Sequence, residues 1–345
     1  MKNLTLLLLG REILRNNNSS KEFLGFSETI VRLQRFYNSQ VRSYEVGNYG
    51  TLKLVNLSCD VIVEPLITAN DPVTAQVFGD VEANIQQNMD GESDIVIEKT
   101  GKNEKIFIKV PVKYGLEAKL VDSASLTVSG LETDKVNLES EKGNITLKNL
   151  RAEKISAISH GGNISCHGVT QGSINLETTC KGSIEGKRFQ GPKVVVKTDS
   201  GDISVQSTYS DSSFFETKYG SMNLKNLHRQ AKVNVFGEGN VDITGLDGSL
   251  EAYVASGKTA IQISNLIDDS FVNVGSGSLT VYTPEDPKFI IKTKSDNVDL
   301  ADGLKIIVKK EASPGDIALS CNVTYGRIRI DRKDWFSTLG IEFNE

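Results

Sequence analysis

Short runs in which apolar and polar residues alternate recur along the chain between residues 51 and 330. Examples are Ile145-Thr-Leu147, Ile203-Ser-Val205 and Val241-Asp-Ile243. Successive side chains of a strand point to opposite faces, so this pattern predicts strands with one buried and one solvent-facing side. No sustained helical periodicity interrupts these runs. We therefore expect an all-β protein.

The runs fall into a repeat of about 19 residues. Each unit contains a glycine followed by a polar and then an apolar residue, as in Gly143-Asn-Ile145 and Gly162-Asn-Ile164. Glycine before Asn, Ser or Asp is interpreted as the supplier of the positive φ that a tight corner needs. The predicted structural turn glycines are Gly143, Gly162, Gly182, Gly201, Gly220, Gly239, Gly257 and Gly277, with Ala124 one step before them and Asn297 20 residues after the last.

A second landmark shares this period. In five of the units, a small or turn-prone residue followed by an apolar one comes six residues after the turn position, as in Gly130-Leu131, Asn149-Leu150 and Gly245-Leu246. One such unit cannot bury its apolar face alone, so the units must stack. This predicts a single-chain β-solenoid of about eight to ten coils, on the order of 40–50 Å long. Its interior ladder would contain Ile145, Ile164, Ile184, Ile203, Met222 and Val241.

The domain organisation follows from where the repeat holds. Residues 1–42 are expected to be a targeting segment or disordered, residues 50–121 an irregular β cap with longer polar loops, and residues 122–330 the solenoid repeats. Residues 331–345 contain the single tryptophan and close the other end as a cap or tail. A sandwich or a propeller is the alternative architecture, but propeller blades need ~40 residues or more and sandwich strands do not repeat so evenly.

This recurring pattern of Ser or Thr, Gly, Asn or Asp, then Ile or Val resembles an adhesin-type repeat domain of unknown function, which occurs in many bacterial proteins. Among animal proteins it looks most like the family with sequence similarity 185, over roughly residues 50 to 335. The resemblance implies a β-solenoid, and it carries no catalytic or binding residues over to this chain, because a fold does not imply a function.

Residues 1–42 differ from the rest in charge. They carry seven Lys or Arg against three Glu, within a chain whose net charge is -5. An Arg-rich segment with leucines that can gather on one helix face is typical of a mitochondrial transit peptide. Arg35-Phe-Tyr37-Asn38 resembles a presequence cleavage site, which predicts a mature chain that starts near Asn38. A cytoplasmic or secreted location is the alternative, and the triplets that start at Asn56, Asn144, Asn163 and Asn322 would then be candidate glycosylation sites.

Chemistry for catalysis or cofactors is weakly represented. The acids Asp202, Glu216, Asp242 and Glu251 fall on different coils with no recurrent partner. His160 and His167 bracket Cys166, which occupies an inward position, and the four cysteines are expected to be small buried thiols. We therefore predict no catalytic, cofactor or metal site. The acidic balance disfavours nucleic acid, and no stretch is long and apolar enough to span a membrane.

Two functions remain open. The first is a non-catalytic scaffold that presents its sheet surface to an unknown protein partner. The second is a carbohydrate-binding or adhesin-like solenoid, or less plausibly a polysaccharide-active enzyme, and an outward row of aromatic and acidic residues would favour it over the first. The aromatic residues that could contact a partner or fill the core are Phe214, Phe215, Tyr219, Tyr253 and Tyr282, with the core favoured for the two phenylalanines.

Overall fold

The computed structural model describes residues 41–66, 73–79, 81, 83–87, 92–98, 105–293, 297–301, 304, 308–309 and 315–332. The predicted cleavage site at Arg35, Tyr37 and Asn38 lies outside these residues, as does most of the predicted C-terminal cap. Every element within them is a strand. In chain order the strands are β1 Val41–Glu45, β2 Thr51–Leu57, β3 Val61–Pro65, β4 Thr74–Phe78, β5 Asn84–Gln87, β6 Ser93–Ile97, β7 Ile106–Val110, β8 Gly115–Leu120, β9 Leu126–Ser129, β10 Glu132–Ser140, β11 Ile145–Ser159, β12 Ile164–Thr178, β13 Ile184–Thr198, β14 Ile203–Val205, β15 Thr208–Thr217, β16 Met222–Glu238, β17 Val241–Leu266, β18 Ser270–Thr283, β19 Ile290–Thr293, β20 Val298–Leu300, β21 Val308–Lys309 and β22 Ala318–Arg332.

The predicted β-solenoid is confirmed. Within each coil the strand bends, so that β11 contributes residues 145–148 to a first face and residues 154–159 to a second face, with a short segment at residues 150–151 between them. All three segments pair in parallel with β12, one coil further on. From Leu126 to Leu279 the first face advances through eight coil steps, which corresponds to about 40 Å of stack at ~4.8 Å per step.

The predicted interior ladder is also confirmed. Ile145 pairs with Ile164, and the same register continues to Val241. All six of its side chains are at most 1% exposed. β-branched and long aliphatic residues fit these positions because each one packs between identical positions of the coils before and after it. Complete burial of one such side chain stabilises the fold by roughly 1.5–3 kcal/mol.

The first corner joins the second face to the first. Glycine is required there for a different reason from the one that the sequence suggests. Of the eight predicted turn glycines, only Gly220, Gly257 and Gly277 have a positive φ. A Cβ at any of the eight would instead collide with the carbonyl oxygen of the corner residue one coil earlier. The prediction that positive φ requires these glycines is therefore wrong for the other five, where the close approach of stacked backbones requires them.

Positive φ occurs at the second corner, after the first-face segment. Asn149 (48°), Gly168 (73°), Asn226 (49°) and Gly245 (76°) all adopt it. These are residues of the second landmark in the sequence. Asn and Gly tolerate this region of backbone conformation better than other residues do, which explains why the landmark alternates between them.

Polar side chains at the first corner tie adjacent coils together. The N–H of Asn163 donates to Oδ1 of Asn144 (2.8 Å), and the N–H of Ser221 donates to Oδ1 of Asp202 (2.7 Å). On the inner side, Ser159 Oγ donates to the Gly143 carbonyl (3.1 Å) and accepts from the Gly162 N–H (2.9 Å). The preference for Asn, Asp or Ser after glycine thus reflects a repeated side-chain acceptor for the next coil.

At both ends the order of coils in space departs from the order in sequence. β2 lies between β6 and β8, although β6 follows it by about 40 residues along the chain. At the other end β22 inserts between β18 and the short strands β19 and β20. The sequence predicts that the coil at Asn297 stacks directly on the coil at Gly277, and this prediction is therefore wrong. The coil next to Gly277 begins at Gly326-Arg-Ile328, which lies too far along the chain to fit the 19-residue period.

An antiparallel cap of β1, β4 and β5 covers the N-terminal end, whereas β2, β3 and β8, which lie within the predicted cap region 50–121, pair in parallel with neighbouring coils. β4 pairs antiparallel with β1 and β7, and β5 pairs antiparallel with β6. Asp94, which is 8% exposed, joins this cap to the stack because it accepts hydrogen bonds from the Thr51 N–H (3.0 Å) and from Lys53 Nζ (2.7 Å). That contact raises the pKa of Lys53.

Candidate interaction surface

The two faces of the solenoid differ in what they present to solvent. The outward positions of the first face are occupied mainly by Thr, Ser, Asn and Lys, for example Thr146, Ser204 and Lys225. The outward positions of the second face hold aromatic side chains on its middle and later coils. A contiguous patch of exposed aromatic side chains is typical of a binding site. The second face is therefore the candidate surface.

Four of these aromatic residues form a row, which we call the aromatic diagonal: Tyr219, Phe236, Tyr253 and Phe271. Their side chains are 61%, 53%, 42% and 55% exposed. They are spaced 17, 17 and 18 residues apart along the chain, which is less than one coil. Each aromatic residue therefore lies on the coil after the previous one but about two positions earlier on its strand, and the row crosses the face obliquely.

Contacts and strand register place the members of the diagonal side by side. The Tyr219 ring lies against Gly237, where any larger residue would displace it. The ring centroids of Phe236 and Tyr253 are 6.5 Å apart with a tilt of 47°. Phe271 pairs in register with Glu251, two residues before Tyr253. The four residues thus form an oblique ridge across four coils, within which the rings of Phe236 and Tyr253 contact each other.

A shallow groove of about 400 Å³ runs beside this ridge. Phe214 lies at one end and Phe271 at the other, three coil steps apart. Between them the small or polar side chains of Ser212, Gln230 and Ser249 form one wall. Because serine is short, this wall is low and leaves room for a ligand.

Charges along the groove and the ridge are mostly neutralised by pairs that link one coil to the next. Lys232 Nζ is 2.7 Å from Glu251 Oε1, and Lys197 Nζ is 3.5 Å from Glu216 Oε1. Lys218, beside Tyr219, bonds Asp199 at 2.7 Å, and this hydrogen bond and charge raise the pKa of Lys218. The surface therefore presents aromatic rings between neutral ion pairs, with Lys193 and Asp269 of the groove lining as opposite charges outside these pairs.

The four acids singled out in the sequence do not form a shared site. Glu216 and Glu251 each pair with a lysine one coil earlier, which corrects the expectation that no partner recurs. Asp202 accepts from the Ser221 N–H, and Asp242 accepts from the Thr244 hydroxyl (3.4 Å). Each carboxylate has a structural partner that explains its position.

The histidines and cysteines are likewise dispersed. Burial raises the pKa of the Cys166 thiol to about 12, while His160 is exposed beside Glu139 at 3.6 Å. No group of three His, Cys, Asp or Glu that could hold a metal occurs within the described part of the chain. Cys59 and Cys321 are buried as expected, whereas Cys180 is exposed, which corrects the expectation for that residue.

The sequence identified part of the surface. Tyr219 and Tyr253 belong to the diagonal, whereas Phe236 and Phe271 were missed, although their 17- to 18-residue spacing was a usable signal. Phe215 is fully buried in the core, as predicted. Phe214 lies at the groove and is half-buried, so the expectation that it belongs to the core is wrong. Tyr282, on the first face, is also half-buried.

A family model describes this architecture. The model of the Toastrack DUF4097 family matches residues 82–235 and again residues 153–334, which together make up well over half of the chain. The chain belongs to the Toastrack DUF4097 family. This membership agrees with the adhesin-type repeat that the sequence resembles, and it assigns no ligand.

Solved structures similar to this Toastrack chain include three bacterial proteins. A candidate adhesin from Parabacteroides distasonis is 12% identical and covers 86% of this chain and 97% of its own, with a TM-score of 0.38. A candidate cell adhesion protein from Clostridium sporogenes is 10% identical (86% and 100% covered, TM-score 0.21), and a candidate adhesin from Bacteroides fragilis is 13% identical (86% and 97% covered, TM-score 0.25). Within the described residues, no helix is long and apolar enough to cross a membrane.

Proposed function

We propose that this Toastrack protein is a non-catalytic scaffold that binds a protein partner through the aromatic diagonal. The observation that carries the proposal is the alignment of four half-exposed aromatic rings on four consecutive coils. Tyrosine and other aromatic residues are enriched where protein interfaces are buried, since they contribute large contact areas with few rotatable bonds. The pairing of the nearby carboxylates with lysines supports a binding role over a catalytic one.

Photo-crosslinking tests this proposal in cells. A photoreactive phenylalanine analogue at Tyr253 should give a discrete crosslinked protein, because that position is central in the diagonal. The matched control is the same analogue at Asn223, an exposed outward position on the first face of β16, the strand that also carries Phe236. Equal crosslinking at both positions, or none at Tyr253, would contradict the proposal.

Carbohydrate binding is the second candidate. Phe214, Lys232, Glu251 and Phe271 occupy equivalent outward positions on adjacent coils, and this is the aromatic and acidic row that would favour a glycan. This reading corresponds to the bacterial proteins described as candidate adhesins. A screen of linear neutral oligosaccharides against the purified chain tests it, and loss of any hit on Phe271→Ala would support it.

The location of the protein is a separate proposal. The basic segment at residues 1–42 supports mitochondrial import with a mature start near Asn38. Sequencing the N-terminus of the protein from purified mitochondria tests this. Recovery of a glycosidase-sensitive product modified at Asn144 or Asn163 would overturn it and favour the secretory alternative.

Kinship with the animal family with sequence similarity 185 is also proposed, on the basis of the repeat over residues 50 to 335. A phylogeny of Toastrack DUF4097 domains would test it. Grouping of this chain among bacterial members would contradict it.

A further inference from the structure

The size of the aromatic diagonal limits what can bind to it, if the proposed function holds. A buried aromatic side chain covers on the order of 200 Å², so four rings that are each about half exposed offer roughly 400 Å². A stable interface between two folded proteins, or between two copies of this chain, needs about 800 Å² on each side. The diagonal and its groove therefore suit a short segment of a partner rather than a folded domain.

A peptide cannot bind this surface as an additional strand of the sheet. The strands beneath the diagonal are paired on both sides, since β16 lies between β15 and β17, and β18 lies between β17 and β22. Their backbone groups are used within the sheet, so a peptide strand would find no ladder to extend. A peptide ligand must therefore contact the side chains of this surface and not its backbone, and the ligand's own backbone must stay solvated.

A helix fits poorly as well. An amphipathic helix is about 10 Å wide and binds in an apolar groove through a stripe of residues at helical spacing. Here the groove has a low polar wall of Ser212, Gln230 and Ser249, and the aromatic rings form a ridge beside it. A helix lying on the ridge would leave this wall uncovered.

A polyproline II helix meets these requirements. It has no internal hydrogen bonds, keeps its backbone solvated, and repeats every three residues, or about 9 Å. Successive positions of the diagonal differ by one coil and two strand residues, which is about 8 Å. Prolines three residues apart can therefore contact successive rings of the diagonal. Proline-rich segments are bound in this way by aromatic-lined grooves.

The charges agree with an uncharged ligand. The lysines next to the rings, Lys197, Lys218 and Lys232, are each paired with a carboxylate. The groove lining also contains Lys193 and Asp269, which have no ion pair among the described residues, but their opposite charges cancel, so neither an acidic nor a basic peptide would be favoured over a neutral one.

We infer that the aromatic diagonal binds a neutral, proline-rich segment of the partner protein in the polyproline II conformation. Tyr253 and Phe271 contact its prolines, and the exposed hydroxyls of Tyr219 and Tyr253 donate to its backbone carbonyls. The low groove accommodates the side chains that lie between the prolines.

Fluorescence anisotropy on the full chain tests the inference, with a labelled peptide of repeated Pro-Pro-Leu-Pro as the probe. Saturable binding is expected, and the same peptide with alanine in place of proline should not bind. Tyr253→Ala and Phe271→Ala should each weaken binding at least tenfold, with unchanged circular dichroism and melting. Tyr325→Ala is the matched control, because Tyr325 is 75% exposed and lies outside the diagonal.

The outcomes separate the inference from the proposed function. The inference would be overturned if the proline peptide and the alanine peptide bound equally well. It would also be overturned if Tyr325→Ala weakened binding as much as Tyr253→Ala. Absence of peptide binding together with a protein crosslink at Tyr253 would refute the polyproline mode and leave the scaffold proposal standing. Absence of both, with binding of a linear neutral oligosaccharide that Phe271→Ala abolishes, would overturn both in favour of a glycan.

Discussion

Two neighbouring glycines at one corner allow a sharp test of why the coils stack as they do. Gly161 and Gly162 both follow β11, and neither has a positive φ. A Cβ added at Gly162 would lie 2.2 Å from the Gly143 carbonyl oxygen, one coil earlier. A Cβ added at Gly161 would meet nothing closer than 3.4 Å. The substitutions Gly162→Ala and Gly161→Ala therefore differ only in the collision with the neighbouring coil.

The expected magnitudes follow from this geometry. To reach ordinary contact at Gly162, the two coils must separate locally by about 1 Å, which strains the hydrogen bonds on either side. Overpacking of this kind typically costs ~1–3 kcal/mol, and the upper end applies because the obstacle is backbone. Alanine also restricts the unfolded chain, which contributes ~0.4–1 kcal/mol in favour of both variants. We expect Gly162→Ala to lose about 2 kcal/mol and Gly161→Ala to gain about 0.4–1 kcal/mol.

Urea denaturation followed by circular dichroism measures this difference as a shift of the transition midpoint at constant slope. Equal midpoints for the two variants would refute the reasoning, since they would show that the coils can move apart without cost. A loss of stability in Gly161→Ala alone would refute it as well.

Three further predictions concern buried polar groups and thiols. Ser159→Ala should lower the free energy of unfolding by about 1–3 kcal/mol, because it leaves a corner carbonyl and an N–H unpaired, whereas outward-facing Ser156→Ala should change it by less than about 0.5 kcal/mol in the same urea assay. In the native protein one thiol should react rapidly with a disulfide reagent, and Cys180→Ser should abolish that reaction; rapid modification of Cys166 would contradict the burial described above. Burial raises the pKa of Cys166 and of Cys321 to about 12, so the unfolded chain releases these protons first, near the ordinary thiol pKa of about 8.5. The free energy of unfolding should therefore be highest below about pH 8.5 and fall as the pH rises toward 12. Alanine at both positions should flatten this decline. A pH dependence unchanged by these substitutions would refute this cause.

The interior of the solenoid could be predicted from sequence because its constraint repeats. Ile145, Ile164 and Ile184 occupy equivalent positions, and each must pack on the one before it, so burial imposes the same chemistry on every coil. The corner glycines could be located for the same reason. Their cause could not be, because positive φ and backbone approach both select glycine, and only the stacked coordinates separate them.

The ends and the surface could not be predicted in this way. Gly326 lies 49 residues after Gly277, its neighbour in space, and an insertion of that length, which contains β19, β20 and β21, hides the repeat. Outward positions carry no common packing constraint, so Phe236 and Phe271 do not recur at the coil period. Their shared oblique spacing has meaning only once the coil length and the strand register are known.

The central claim, that the aromatic diagonal is the binding surface, is tested most directly by comparing the partners of two chains in the same cells. One is the natural chain, and the other carries serine at Tyr219, Phe236, Tyr253 and Phe271. Quantitative mass spectrometry after affinity purification should show a defined partner reduced at least tenfold with the serine variant, while the melting temperature and the yield of the variant stay unchanged. Recovery of the same proteins in the same amounts with both chains would contradict the account.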